Sequence, residues 1–157
     1  MRDLNSTDTP QSRPSEDADL CMAVEGHKPM IPAGEYLARF VGHETAVLFA
    51  RAQKVALHFE ICDGPHQGTG LTRYFRVKQI VGRPGKGGKF KLAAGGDLYR
   101  TLARLLDVRT RPDRISLRDL RSMLFKIRVR TVSRDRDNQL LAEGVQYSVI
   151  DSIEDGR

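Results

Sequence analysis

Positively charged side chains are concentrated in one stretch of the sequence, residues 73–91, which contains no acidic residue. The cations are Arg73, Arg76, Lys78, Arg83, Lys86, Lys89 and Lys91, and Tyr74 and Phe90 are aromatic residues among them. Cations bind phosphate groups, and aromatic rings stack on unpaired bases. This combination predicts a surface that contacts a single-stranded polynucleotide, and an ordinary solvated surface is the alternative interpretation.

A second group of cations alternates with apolar residues further along the chain. Lys126, Arg128 and Arg130 are separated by Ile127 and Val129, and this period of two predicts a strand with all three cations on one face. Three like charges on one face repel one another, and an anionic partner would relieve that repulsion. A solvent-facing strand with no partner is equally compatible with the pattern.

Residues 82–89 are rich in glycine without forming a nucleotide-binding motif. A P-loop requires a lysine after its second glycine, and Gly88 occupies that position here. We interpret the segment as a flexible basic loop that contacts a polynucleotide backbone. His58, Cys62 and His66 are four residues apart, but a strand and turn would not hold them together as a helix would. We therefore expect no metal site, no cofactor and no enzymatic activity.

Alternating apolar and polar residues predict five strands that would position these side chains. The strands cover approximately residues 36–41, 53–61, 71–78, 124–132 and 145–149. An amphipathic helix lies between the third and fourth strands, with Leu98, Leu102, Leu105 and Leu106 on one face. The third strand is predicted to direct Leu71, Phe75 and Val77 inward and Thr72, Tyr74, Arg76 and Lys78 outward. The fifth strand is predicted to direct Val145, Tyr147 and Val149 inward.

This order of elements indicates a mainly β fold that resembles the OB-fold, a five-stranded Greek-key barrel that is partly open. The helix between strands three and four would cover one end of the barrel. In that fold the second and third strands form the usual oligonucleotide surface, which would carry Tyr74, Arg76 and Lys78. The alternative is an α+β sheet with the helix on one face.

Charge divides the chain of 157 residues into two parts. Residues 1–28 hold three basic and six acidic residues, whereas residues 29–157 hold 23 basic and 14 acidic ones. The first part is too polar to bury a core, so we expect residues 1–29 to be a disordered acidic tail and residues 30–157 to be the nucleic-acid-binding domain. Basic domains favour polyanionic partners.

Nothing in the sequence predicts a membrane or secreted location. No apolar stretch is long enough to cross a bilayer, and the N-terminus does not resemble a secretory signal. The two cysteines, Cys21 and Cys62, do not form a disulfide framework. We therefore expect a cytoplasmic protein.

Two short motifs resemble those of a known family. They are Pro32-Ala33-Gly34-Glu35-Tyr36 and Phe59-Glu60-Ile61-Cys62-Asp63-Gly64-Pro65, the second followed by Gly68. Both are similar to an uncharacterised family of bacteriophage and mobile-element proteins that look like single-stranded DNA-binding OB domains. The resemblance covers about residues 31–153 and implies a role in replication or recombination. The chain departs from that family at residues 45–50, which are mostly apolar where the family has a polar, glycine-containing turn.

The hypothesis from the sequence is a non-enzymatic, largely sequence-independent single-stranded DNA-binding protein of a phage or mobile element. One alternative is an adaptor or inhibitor module that binds a host nucleic-acid enzyme, and another is an RNA-binding protein. No membrane partner is expected. The sequence leaves open a homo-oligomer and a partner protein from replication or recombination.

Overall fold

The computed structural model describes residues 28–48, 51–106 and 116–156. Nearly all of the predicted tail, residues 1–29, lies outside these ranges. The strands are β1 (Gly34–Leu48), β2 (Ala52–Ile61), β3 (Gly70–Arg76), β4 (Gln79–Val81), β5 (Lys89–Lys91), β6 (Leu124–Val132) and β7 (Tyr147–Asp155). The helix α1 spans Asp97–Leu106, and two 3₁₀ helices span Leu117–Ser122 and Glu143–Val145.

Five of the strands form one antiparallel sheet in the order β3-β2-β1-β6-β7. The prediction of a mainly β domain with a helix between the third and fourth strands of this sheet is confirmed. The pair β4–β5 forms a second, two-stranded sheet inside the glycine-rich stretch. This pair was not predicted from the sequence, because each of its strands has only three residues.

The large sheet curls without closing into a hydrogen-bonded barrel. Its two end strands, β3 and β7, approach each other although three strands separate them in the sheet order. Within the described ranges no β ladder joins these two strands. The guanidinium group of Arg73 on β3 bridges the gap instead, since it donates to the carbonyl oxygens of Ile150 and Asp151 on β7. From the helix α1, Arg104 donates to the carbonyl oxygen of Ile153 on the same strand. These bonds satisfy carbonyl groups that a closed ladder would have paired.

The core lies on the inner face of the curled sheet. Phe59 contacts Phe40 and Phe125 edge to face, with ring centroids 5.7 Å and 5.6 Å apart. The predicted helix covers this core with Leu98, Leu102 and Leu105, which are all buried. The predicted inner residues of the third strand, Leu71, Phe75 and Val77, are buried as well. None of the helices in the described ranges is long and apolar enough to cross a membrane.

The predicted orientation of the last strand was wrong. Val145 is 55% exposed and belongs to a 3₁₀ helix, and the buried residues of β7 are Ser148, Ile150 and Ile153. A bulge opposite Arg128 and Val129 shifts the register of β7, so no single alternation describes the whole strand. Tyr147 and Val149, the other two predicted inner residues, are only half-buried.

Ser148 is buried because local hydrogen bonds satisfy its hydroxyl group. The hydroxyl accepts from the Ile31 amide at 2.8 Å and donates to the Ile31 carbonyl at 3.0 Å. The Ser148 amide donates to the carbonyl of Pro29. The segment before β1 is thereby held against the start of β7. A buried polar residue of this kind could not be predicted, since its partner is 117 residues away in the sequence.

Candidate nucleic-acid interface

The outer face of β2 and β3 carries an aromatic ring beside two cations. In the antiparallel register Lys54 lies opposite Arg76, and Ala56 lies opposite Tyr74. Directly opposed residues on one face have Cβ atoms about 4.5–5.5 Å apart. Tyr74 is 45% exposed and Arg76 is exposed, as the sequence predicted for this face. We call Lys54, Tyr74, Arg76 and the neighbouring Lys78 the β2–β3 surface.

No carboxylate of the described residues neutralises the positive charge of the β2–β3 surface. In the described part of the chain, Lys54, Arg76 and Lys78 form no ion pair within 4.0 Å. Glu44 does lie on the same face, but its carboxylate is 3.6 Å from His58 Nε2. His58 Nδ1 is in turn 2.7 Å from the hydroxyl oxygen of Thr72. This part of the sheet therefore presents cations that can accept an external anion.

Lys54 was not among the predicted site residues, although a signal for it existed. Its polar position in the alternation of β2 places it on the outer face. Only the register between β2 and β3 shows that it lies opposite Arg76 rather than Tyr74. A sequence alone does not give that register.

The glycine-rich loop is held against β1 and is not the flexible loop that the sequence suggested. The Thr45 amide donates to the Gly85 carbonyl at 3.0 Å, and the Gly87 amide donates to the His43 carbonyl at 2.9 Å. The Gly85 amide donates to Thr45 Oγ1 at 3.2 Å, and His43 Nε2 is 3.0 Å from the Gly88 carbonyl oxygen. These bonds attach both the backbone of the loop and its glycine pair to the second half of β1.

Glycine is required at two positions of this loop for different reasons. Gly87 has φ of +66°, a left-handed conformation that glycine adopts without strain. Gly88 packs so closely on β1 that a Cβ there would lie 2.0 Å from Thr45 Oγ1. Thr45 is itself only 1% exposed. The mostly apolar segment that departs from the resembled family thus contains the residue on which the loop docks.

The docked loop and hairpin display four cations from a fixed backbone. They are Arg83, Lys86, Lys89 and Lys91, which we call the loop cations, and all four are exposed. None of them pairs with a carboxylate of the described residues. Lys78 connects the two groups, because its amide donates to the Lys91 carbonyl at 3.0 Å. The β2–β3 surface and the loop cations are therefore neighbours.

Phe90 anchors the hairpin to the body of the domain. It lies opposite Ile80 in the β4–β5 pair, is half-buried, and packs against the core. Its ring meets the His43 ring edge to face at a centroid distance of 5.8 Å. Unlike Tyr74, Phe90 does not form an open platform on the outer sheet face.

Arg73 was predicted to be a binding residue, but its donors are used within the fold. Its side chain is only 24% exposed, and its guanidinium bridges to the backbone of β7. The same group is 3.6 Å from the Asp97 carboxylate and 5.0 Å from the ring centroid of Phe75. Because the Arg73 guanidinium leans inward to these partners, few of its N–H donors remain for an external phosphate.

The cations of the fourth predicted strand, now β6, have carboxylate partners that the sequence did not reveal. Glu35 of β1 lies opposite Arg128 and is 3.2 Å from Arg128 and 3.7 Å from Lys126. Arg130 is 3.2 Å from the Asp151 carboxylate. The mutual repulsion that motivated this part of the prediction is thus relieved inside the protein.

The three residues considered as metal ligands have different neighbours. His58 contacts Thr72, the Cys62 thiol donates to the Glu60 carbonyl at 3.6 Å, and the His66 ring packs edge to face on Tyr36. Burial raises the pKa of the Cys62 thiol, and the opposing effect of the Arg39 charge is smaller. Across residues 28–48, 51–106 and 116–156, no three His, Cys, Asp or Glu side chains are grouped so that they could hold a metal ion.

Comparisons with known proteins identify no family for this chain. No protein-family model matches it, and neither a curated protein sequence nor a solved structure does. The function is therefore inferred from the geometry of the β2–β3 surface and its surroundings.

Proposed function

We propose that this chain is an OB-like, non-enzymatic protein that binds single-stranded DNA on the β2–β3 surface and the adjoining loop cations. The observation that carries this proposal is the exposed ring of Tyr74 beside cations that have no carboxylate partner among the described residues. A strand of DNA supplies what this surface lacks, namely anionic phosphates and stackable bases. A surface that was buried, or whose charges were neutralised within the protein, would not favour such a partner.

The arrangement of strands supports the OB-like interpretation. The order β3-β2-β1-β6-β7 is antiparallel, α1 follows the third strand, and the two end strands approach each other. An OB-fold is a partly open five-stranded barrel whose second and third strands bind oligonucleotides. In this interpretation the β2–β3 surface occupies the position at which such domains bind their ligand.

The chemistry of the surface favours single strands over duplexes. Stacking of one base on an aromatic side chain is worth about 1–3 kcal/mol, and it requires a base that is not already stacked within a duplex. Lys54, Arg76 and Lys78 can contact phosphates, which carry no sequence information. The expected binding is therefore salt-dependent and largely independent of sequence. Following the resemblance of the two short motifs, we place this activity in phage or mobile-element replication or recombination.

Fluorescence anisotropy with a labelled 20-nucleotide oligothymidylate and a 20-base-pair duplex tests the proposal. We expect tighter binding to the single strand, and we expect Tyr74→Leu to weaken it about fivefold to a hundredfold through lost stacking. Tyr147→Leu is the matched control, since Tyr147 is also partly exposed but its ring contacts Lys28, which is not part of this surface. Its affinity should equal that of the wild type.

Two results would overturn the proposal. Equal affinity for the single strand and the duplex would show that no unpaired base is recognised, and unchanged affinity in Tyr74→Leu would exclude stacking at this ring. Competition between oligouridylate and oligothymidylate for the protein distinguishes the RNA-binding alternative from DNA binding. A pull-down that retains a host protein after nuclease treatment, from a chain that binds no oligonucleotide, would favour the adaptor alternative.

A further inference from the structure

A cleft of about 870 Å³ separates the β4–β5 hairpin from α1 and the first 3₁₀ helix. Binding sites for small ligands usually have volumes of about 300–1,000 Å³. On the hairpin side the lining residues include Phe90 and Leu92, and on the helical side they include Tyr99 and Leu117. Two rings and two aliphatic side chains thus border the same space, which suits a flat apolar group.

Cations border the cleft together with these apolar groups. Lys89, Lys91 and Arg118 are among its lining residues, and all three are exposed. Of the described residues that line the cleft, none is acidic. A ligand that combines a planar ring with negative charge matches this lining, whereas an uncharged ring or a simple anion would use only half of it. A nucleotide has both parts.

The wall formed by the loop is fixed before any ligand arrives. His43 Nε2 is 3.0 Å from the carbonyl oxygen of Gly88, and the ring of His43 contacts that of Phe90. Gly88 leaves no room for a Cβ against Thr45. Preorganisation of this kind lowers the entropic cost of ordering a site during binding.

We propose that this cleft holds one nucleotide of the DNA strand that crosses the β2–β3 surface, with its base beside Tyr99 and its phosphate near Lys89 and Lys91. The two sites adjoin, because the backbone of Lys78 is hydrogen-bonded to that of Lys91. This inference rests on the proposed function and adds a second base-binding position to it. Tyr99 is half-buried, and its hydroxyl has no hydrogen-bond partner within the described ranges, so it is free to meet a polar edge of the base.

Two probes test the cleft independently of each other. The first is thymidine monophosphate, titrated at millimolar concentration into isotopically labelled full-length protein and followed by NMR. We expect dose-dependent shifts of the amide signals of Leu92, Tyr99 and Leu117. The second is an oligothymidylate with one 5-iodouracil, irradiated in the complex and analysed by mass spectrometry. We expect crosslinks to Tyr99 as well as to Tyr74.

The variant Tyr99→Leu removes the ring while retaining an apolar side chain in the wall. We expect it to lower the affinity for a 12-nucleotide oligothymidylate about fivefold to a hundredfold, with a melting temperature close to that of the wild type. Tyr147→Leu again serves as the control and should bind normally. If Tyr99→Leu proves unstable, the crosslink position in the wild-type protein decides the matter.

The outcomes separate this inference from the proposed function. Suppose that oligonucleotide binding depends on Tyr74, but that Tyr99 is not crosslinked and Tyr99→Leu binds with wild-type affinity. This result would overturn the assignment of the cleft and leave the assignment of the β2–β3 surface intact. Wild-type protein that binds no oligonucleotide would overturn the proposed function, and the cleft proposal would fall with it. Amide shifts from the mononucleotide that are confined to residues outside the cleft would also count against it.

Discussion

Replacing Gly88 by alanine should detach the glycine-rich loop from β1. The added Cβ would lie 2.0 Å from Thr45 Oγ1, well below any van der Waals contact, and Thr45 is buried and cannot move aside. The backbone of Gly88 is not in the left-handed region, so the expected cost arises from this clash and not from φ. The chain can relieve the clash only by moving the loop.

The size of the effect follows from the hydrogen bonds that would be lost. Five bonds join Gly85, Gly87 and Gly88 to His43 and Thr45. A hydrogen bond contributes about 0.5–1.5 kcal/mol net, so breaking most of these bonds should lower the free energy of unfolding by about 2–4 kcal/mol. Urea denaturation followed by circular dichroism measures this value.

A double-mutant cycle tests whether the stated contact is the cause. Thr45→Ala removes the hydroxyl oxygen, after which the next atoms met by the new Cβ are 3.1 Å away. Gly88→Ala should therefore cost about 1–2 kcal/mol less in the Thr45→Ala background than in the wild type. Gly42→Ala is the control, because no atom lies within 4 Å of its added Cβ. An unchanged stability of Gly88→Ala, or an equal cost in both backgrounds, would refute the reasoning.

Three further predictions concern residues whose roles the structure reassigns or constrains. Arg73→Gln should lower the free energy of unfolding by about 1–3 kcal/mol by removing charged donors to β7, while its folded form keeps the affinity for oligothymidylate; weakened binding without loss of stability would contradict this. Arg128→Gln should leave that affinity within about twofold, since Arg128 is paired with Glu35, whereas a loss as large as that of Arg76→Gln would place β6 in the binding path. In a Cys21→Ser background, the rate of Cys62 alkylation against pH should give a thiol pKa above that of a free cysteine, because burial disfavours the thiolate; a lower value would show that the charge of Arg39 dominates.

The local spacing of apolar and polar residues was sufficient to predict the side-chain directions of β3 and the buried face of α1. A period of two fixes the outer position of Tyr74 and Arg76 once Phe75 is taken as buried, and a period near 3.6 groups Leu98 with Leu102 and Leu105. Both inferences need only neighbours in the sequence. They were confirmed for that reason.

Features that depend on distant residues could not be predicted. The carboxylate partners of Arg128 and Arg130 come from β1 and β7, and the β7 partners of Arg73 are 77 and 78 residues away. Nothing in the glycine-rich segment itself indicates that Thr45 would hold it. The last strand buries Ser148, whose hydroxyl group is satisfied by Ile31, and this orientation is opposite to the one that its alternation suggested. Each of these errors concerns pairing or register, which the tertiary fold sets.

The salt dependence of oligothymidylate binding tests the central claim most directly. If Lys54, Arg76 and Lys78 each contact a phosphate, the logarithm of the association constant should fall linearly with the logarithm of salt concentration, with a slope of about −2 or steeper. Arg76→Gln should make that slope shallower by about 0.7, the contribution of one phosphate contact on a single strand. A slope near zero, or a slope that Arg76→Gln leaves unchanged, would contradict the assignment of this surface to DNA.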